Sequence, residues 1–118
     1  MDDPKAFALF QEILKRTDAR KLAWEMTRRG DEYAAPMMKY QLKLLPYTSL
    51  SNWGEWEGPP VLTLNDENGN MLVEMSVDVD GITPADLKRM VTAARRIALN
   101  IDDRVDELLT ELRENDDK

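Results

Sequence analysis

The chain has 118 residues, a net charge of −7, 42% apolar and 33% charged residues, and neither histidine nor cysteine. That length fits a single domain, 1–118, with one core large enough to need no metal or cross-link. Without imidazole or thiol, histidine-assisted nucleophiles, thiolate catalysis, disulfides and the standard zinc, copper and iron sites are excluded, so no metal and no cofactor is expected.

Residues 1–58 carry nine acids and nine bases, whereas residues 59–118 carry fourteen acids and seven bases and hold the whole excess. Such a balance opposes nucleic acid, which is bound through Lys and Arg on phosphates, and opposes anionic membranes. It suits a basic protein partner, and equally suits plain solubility. No apolar run approaches the ~20 residues of a membrane span. Met1-Asp2-Asp3 does not open like a secretory leader, so a cytoplasmic protein is expected.

Residues 5–16 read as a helix, with Phe7, Phe10, Ile13 and Leu14 at helical spacing, Asp2 or Asp3 as cap and Pro4 in the first turn. Leu22, Trp24 and Met26 then alternate with Ala23, Glu25 and Thr27, the period of a half-buried strand. Tyr33 to Met37 can pair back, with Pro36 confining it to an edge or bulge. Met38, Tyr40, Leu42 and Leu44 alternate with Lys39, Gln41 and Lys43 and form the clearest two-faced strand. From Pro46 to Pro60 no period is visible. Two apolar runs, Val61–Leu64 and Met71–Val77, flank Asn65-Asp66-Glu67-Asn68-Gly69-Asn70, a hairpin signal with Gly69 expected at positive φ and a bulge beside it.

Thr83-Pro84-Ala85-Asp86 starts a helix with a hydroxyl cap, a proline and a carboxylate near the positive end of the dipole. Leu87, Met90, Val91, Ala94, Ile97 and Ala98 make its apolar face. Asn100 to Asp103 should interrupt it, and a last helix places Val105, Leu108, Leu109 and Leu112 on one side; residues 114–118 should fray. The expected fold is therefore α+β: an N-terminal helix, an antiparallel sheet of four to five strands, and two C-terminal helices packed on one face. The other face, with Lys39, Gln41, Lys43 and Glu74, should meet water.

Phe10-x-x-Ile13-Leu14-x-x-Thr17-x-x-x-Lys21-Leu22-x-Trp24, the Tyr33-x-Ala35 step, the Tyr40-x-Leu42-x-Leu44 strand and the Asp66–Gly69 turn resemble a widespread group of small bacterial proteins of unknown function. So does Leu87-x-x-Met90-x-x-x-Ala94-Arg95-Arg96-x-Ala98, with Val105, Leu108-Leu109 and Leu112 after it. The likeness spans about residues 7 to 112, apart from the Trp-rich connection. It implies the fold and a bacterial origin, but no activity. That group commonly has glycine just before its Lys-Leu-x-Trp strand, where Arg20 stands here. A fainter likeness, from Pro60 to Leu112, is to chaperones of the type III secretion kind and implies binding of a partner peptide.

Three sets of residues are candidates for a role. Trp53 and Trp56 lie in the irregular Tyr47–Pro60 connection, either as an interface or folded back over an open end of the core. Arg95 and Arg96, like Arg28-Arg29, form a cationic pair; Arg96 is placed to reach a carboxylate such as Glu74, or an aromatic ring. Asp66, Asp78 and Asp80 lie in stretches that resemble fragments of a calcium loop, but neither stretch closes with the required glutamate. Asp103, Glu107 and Glu111 form a row best read as a solvated helix face. With seven methionines suited to adaptable packing, the chain reads as a non-catalytic protein-binding module: an adaptor, sensor or regulator of a bacterial partner, with a defence or stress role in view. Its contacts are Trp53, Trp56, Arg95 and Arg96. The alternatives are an acidic immunity or inhibitor protein that blocks a basic toxin or nuclease, and a carboxylate-only enzyme using Asp66, Asp78 or Asp80.

Overall fold

A computed structural model describes residues 3–27, 32–46, 48–49 and 57–116. Helix α1 (Pro4–Asp18) starts where the Asp3 carboxylate accepts the Ala6 amide at 3.0 Å. After it come strands β1 (Glu25–Met26), β2 (Tyr33–Met37) and β3 (Tyr40–Leu45), then β4 (Thr48–Ser49) and β5 (Glu57–Gly58). Strands β6 (Val61–Asn65) and β7 (Met71–Met75) precede helices α2 (Pro84–Ala98) and α3 (Ile101–Asp116). Helix α2 is capped as its sequence implies, with Thr83 Oγ1 accepting the Asp86 amide at 3.1 Å.

Five strands form one antiparallel sheet in the order β1-β2-β3-β6-β7, and β4 pairs with β5 as a separate small hairpin. The Pro46–Pro60 connection is thus not wholly irregular. Register aligns Tyr33, Leu44, Leu62 and Met75 in one row across the sheet, and Ala35, Leu42, Leu64 and Val73 in the next. Both rows face the helices, where Phe10 and Ile13 of α1 and Leu87, Met90 and Ala94 of α2 close the core. Helix α1 lies against β7 and α2 lies against β1 and β2. The opposite face carries Ala34, Lys43, Thr63 and Glu74 in register, with Glu74 and Gln41 exposed, as alternation requires.

Pro36 sits where its chemistry allows. Strand β1 pairs only with Tyr33 and Ala34, so Pro36 lies beyond the end of β1 on an open edge that tolerates a residue with no N–H. Between β6 and β7 the ladder slips at Leu64 and Asn65: Leu64 faces Val73 and Asn65 faces Met71, leaving Leu72 as the extra residue of a bulge. Gly69 has φ of 87°, as expected for this turn. Gly81 has φ of 97°, and a Cβ there would stand 2.8 Å from the Phe7 ring, so glycine is needed for both conformation and space.

The Thr17 and Trp24 positions of the sequence pattern acquire a physical meaning. Trp24 is buried, and its indole N–H donates to Thr17 Oγ1 at 3.0 Å. The Thr17 hydroxyl, also buried, donates onward to the Ile13 carbonyl at 2.8 Å. A polar relay therefore joins the last turn of α1 to the segment entering the sheet, with neither donor left unpaired in an apolar setting.

Two expectations are corrected. The alternation from Leu22 to Met26 buries Leu22 and Trp24 but leaves Met26 exposed, and only Glu25–Met26 pair as strand. Helix α3 is continuous to Asp116. It does not pack its apolar side on the sheet: Val105, Leu108, Leu109 and Leu112 are 47, 55, 41 and 52% exposed. The molecule measures 61 × 37 × 28 Å with a radius of gyration of 16.9 Å. A compact chain of this length would have a radius of ~13.5 Å.

Thr17→Val keeps the shape of residue 17 but orphans the Trp24 N–H, so it should destabilise the protein by about 1–3 kcal/mol. Thr17→Ser, which retains the hydroxyl, should lose much less. Urea unfolding of the two variants beside the parent chain measures both.

Candidate functional site

The surface that stands apart is the apolar side of α3. Helix α2 ends at Ala98, the Leu99 N–H returns to the Arg95 carbonyl, and Asn100 takes a left-handed conformation with φ of 53°. Asn100 then begins the next helix by accepting the Arg104 amide on its carbonyl at 3.1 Å. Asparagine tolerates left-handed backbone better than most residues, and here it redirects the chain within a two-residue joint.

The first turn of α3 is fastened by charge. Asp102 accepts from Arg96 at 2.7 Å through one carboxylate oxygen and pairs with Arg20 through the other. Arg96 thus reaches forward to Asp102 rather than back to Glu74, which alternation sends to the far face of the sheet. Arg20 closes α1 in a Schellman turn, with the Lys21 amide on the Arg16 carbonyl at 2.8 Å and the Arg20 amide on the Thr17 carbonyl at 3.1 Å. Its φ is 57°, the conformation for which glycine is best suited. Arginine at this position can do what glycine cannot: it holds the base of α3.

Past Ile101 and Asp102, which are half-buried, every residue of α3 from 103 to 115 is exposed. Val105, Leu108, Leu109 and Leu112 fall at i, i+3, i+4 and i+7 and form one continuous stripe. Arg104 and Glu111 border it on one side, and Asp102, Asp106 and Arg113 on the other. Asp103, Glu107 and Glu114 lie opposite, in water, so the row from Asp103 through Glu111 is an exposed one.

The other candidates fall elsewhere. Trp53, Trp56, Arg28 and Arg29 lie outside the described residues. Arg95 is exposed on α2, one position from the Arg96 that grips Asp102. Asp66 is committed to its turn: its carboxylate accepts the backbone amides of Asn68 and Asn70 at 2.9 and 2.8 Å and the Asn70 side chain at 3.1 Å. The Asn70 amide, first among these donors, holds its pKa below the ordinary value of 3.8. Asp78 and Asp80 belong to the tight Ser76–Ile82 connection, in which the Asp78 amide donates to Ser76 Oγ at 3.2 Å.

Several grooves flank α1, and two of them hold large apolar side chains of α1 in their walls. One, of about 370 Å³, lies between α1 and the start of α2 and is crossed by an Arg89–Asp18 ion pair. The other, of about 280 Å³, is lined by Leu9, Ile13, Met37 and Met38. Met38 is 93% exposed at φ of 58°, so neither burial nor turn preference accounts for methionine there. No helix among the described residues is long and apolar enough to cross a membrane.

Taken together, fold and surface define an α+β protein with a two-helix-covered antiparallel sheet and a projecting amphipathic helix. No protein-family model, curated protein or solved structure matches the chain.

Two measurements follow from the local chemistry. Arg20→Gly should relieve the left-handed strain and stabilise the domain by a few tenths to about 1 kcal/mol, because the exposed ion pair it removes contributes little. The same variant should speed amide exchange in the first turn of α3, whose tether to α1 is gone. For Asp66, a lowered folded pKa means stabilisation that is complete above about pH 4 and is lost as pH falls through the folded value. An NMR titration of its carboxyl carbon should place the midpoint below 3.8, and Asn70→Ala should move it upward.

Proposed function

We propose that this chain is a non-catalytic protein-binding module whose contact surface is the stripe Val105, Leu108, Leu109 and Leu112. The observation that carries this reading is the exposure of all four side chains on a helix whose base is fixed. Isolated helices of about 15 residues are marginal in water, and most helical stability comes from covering an apolar face. A helix of this length that keeps such a face open is suited to covering it on a partner. Anchors at i, i+3, i+4 and i+7 are the pattern of a helix laid into an apolar groove or against another helix. The Asp102 tether orders the base before binding, which lowers the entropy lost on association.

An adaptor or regulator of a bacterial partner suits this surface and the resemblance to small bacterial proteins, which brings no activity with it. Trp53, Trp56 and Arg95 remain proposed as further contacts. A second reading, an acidic inhibitor of a basic toxin or nuclease, is favoured by the seven acids against two bases on α3. The two readings part on ionic strength: steering by acids makes association fast and salt-sensitive, while an apolar stripe does not.

A pull-down from native host cells, with the wild-type chain and Leu108→Glu/Leu112→Glu as parallel baits, tests the first reading. A partner retained by the wild type and lost by the variant is expected. Identical captures by both baits would sink it. A Trp53→Ala/Trp56→Ala bait in the same experiment reports on the tryptophans.

A further inference from the structure

Resting on the reading of α3 as a binding surface, we propose that the occupant of its stripe is a second copy of this chain, paired antiparallel through α3. On the Arg104 and Glu111 margin of the stripe, the charges of two copies are complementary in that orientation. Arg104 and Glu111 lie on the same margin, seven residues apart. Turning a second helix end for end about a point near residues 107 and 108 sets Arg104 of each copy opposite Glu111 of the other, forming two equivalent ion pairs. A centre one residue earlier, between 106 and 107, levels Val105 with Leu108 and Ile101 with Leu112 in both directions, and the long Arg104 and Glu111 side chains still span the small offset. The contact is isologous and closes at two copies.

Orientation matters because acid is uneven along the helix. Its first half holds four of its seven acids, Asp102, Asp103, Asp106 and Glu107, and a parallel pair would bring the two acidic halves side by side. An antiparallel pair sets them beside the half that contains Arg113, and opposes the two helix dipoles. Asp103, Glu107 and Glu114 point away from the contact in either copy and keep their charge in water. The joint at Asn100 and the Asp102 tether hold α3 clear of the sheet, so the two domains stand at opposite ends of the pair. Two such helices bury about 1,000 Å² in total, the low end of specific interfaces, so the dimer is reversible and concentration-dependent.

Sedimentation equilibrium of the full chain from about 1 to 200 μM tests this directly, with circular dichroism confirming that each variant is folded; the range brackets the affinity expected for so small an interface. A monomer–dimer equilibrium is expected. Leu108→Glu should weaken it at least about tenfold, and Arg104→Glu several-fold. The double exchange Arg104→Glu/Glu111→Arg should recover most of the loss, which a merely structural role for either residue would not produce. The absence of cysteine allows a single spin label at Asn115→Cys. An antiparallel pair places the two labels ~20–25 Å apart at 1.5 Å per residue, and a parallel pair about 10 Å. A chain monomeric at about 200 μM, a dimer indifferent to Leu108→Glu, or the short label distance overturns the proposal. A monomer that still captures a host protein through Leu108 and Leu112 rejects self-pairing alone, whereas a monomer without such a capture rejects the binding surface as well.

Discussion

The width of the sheet governs this molecule. Five strands at about 4.8 Å spacing span roughly 20 Å, and two helices packed about 10 Å apart cover that width. Helices α1 and α2 fill it, one against β7 and the other against β1 and β2. The core is complete at that point, with Leu42, Leu44, Leu62, Met75, Leu87 and Met90 fully enclosed. The central row of the opposite face, Lys43, Thr63 and Glu74, is polar and offers an apolar helix little to cover. A third amphipathic helix has no place left on the domain.

How α3 leaves the domain follows from local chemistry. Asn100, left-handed in the two-residue joint after α2, redirects the chain, and Arg20 and Arg96 converge on Asp102 to set the starting direction of α3. Each exposed ion pair contributes little to global stability. Two that share one carboxylate at the root of a helix define an orientation. Arg20, in a left-handed conformation at the end of α1, thus stands at the mount of the helix with the most conspicuous exposed face.

Much of the architecture is legible in the residues because local and global preferences agree. Asp3, Pro4, Thr83 and Pro84 announce two helix starts, and both form. Asn-Gly at 68–69 announces the β6–β7 hairpin, and Gly69 takes the positive φ that turn needs. The alternation from Tyr40 to Leu44 assigns the two faces of β3 correctly. What periodicity cannot convey is whether an apolar stripe has somewhere to go. Val105, Leu108, Leu109 and Leu112 carry the same spacing as the core positions Leu87, Met90 and Ala94, so both sets read as core. The available signals are the acidic excess on that helix and a count of helices against sheet width. Arg96 stands out in the sequence as a charge in need of a carboxylate, but strand parity turns Glu74 away from the helices and leaves Asp102 as the partner. The short β4–β5 hairpin gives no sequence signal because two-residue strands carry no period.

The sheet's outer boundary has a consequence of its own. Strand β7 is an edge with Met71 and Leu72 exposed, the kind of border along which chains can recruit one another into fibrils. The extra residue at Leu72 breaks the regular spacing of its outward amides and carbonyls, and the Asp66 carboxylate binds the adjoining turn tightly. At the opposite border the two-residue β1 and Pro36 offer too little uninterrupted backbone for a foreign strand. Growth by strand addition is discouraged at both margins, so the concentrated protein should remain free of cross-β deposits.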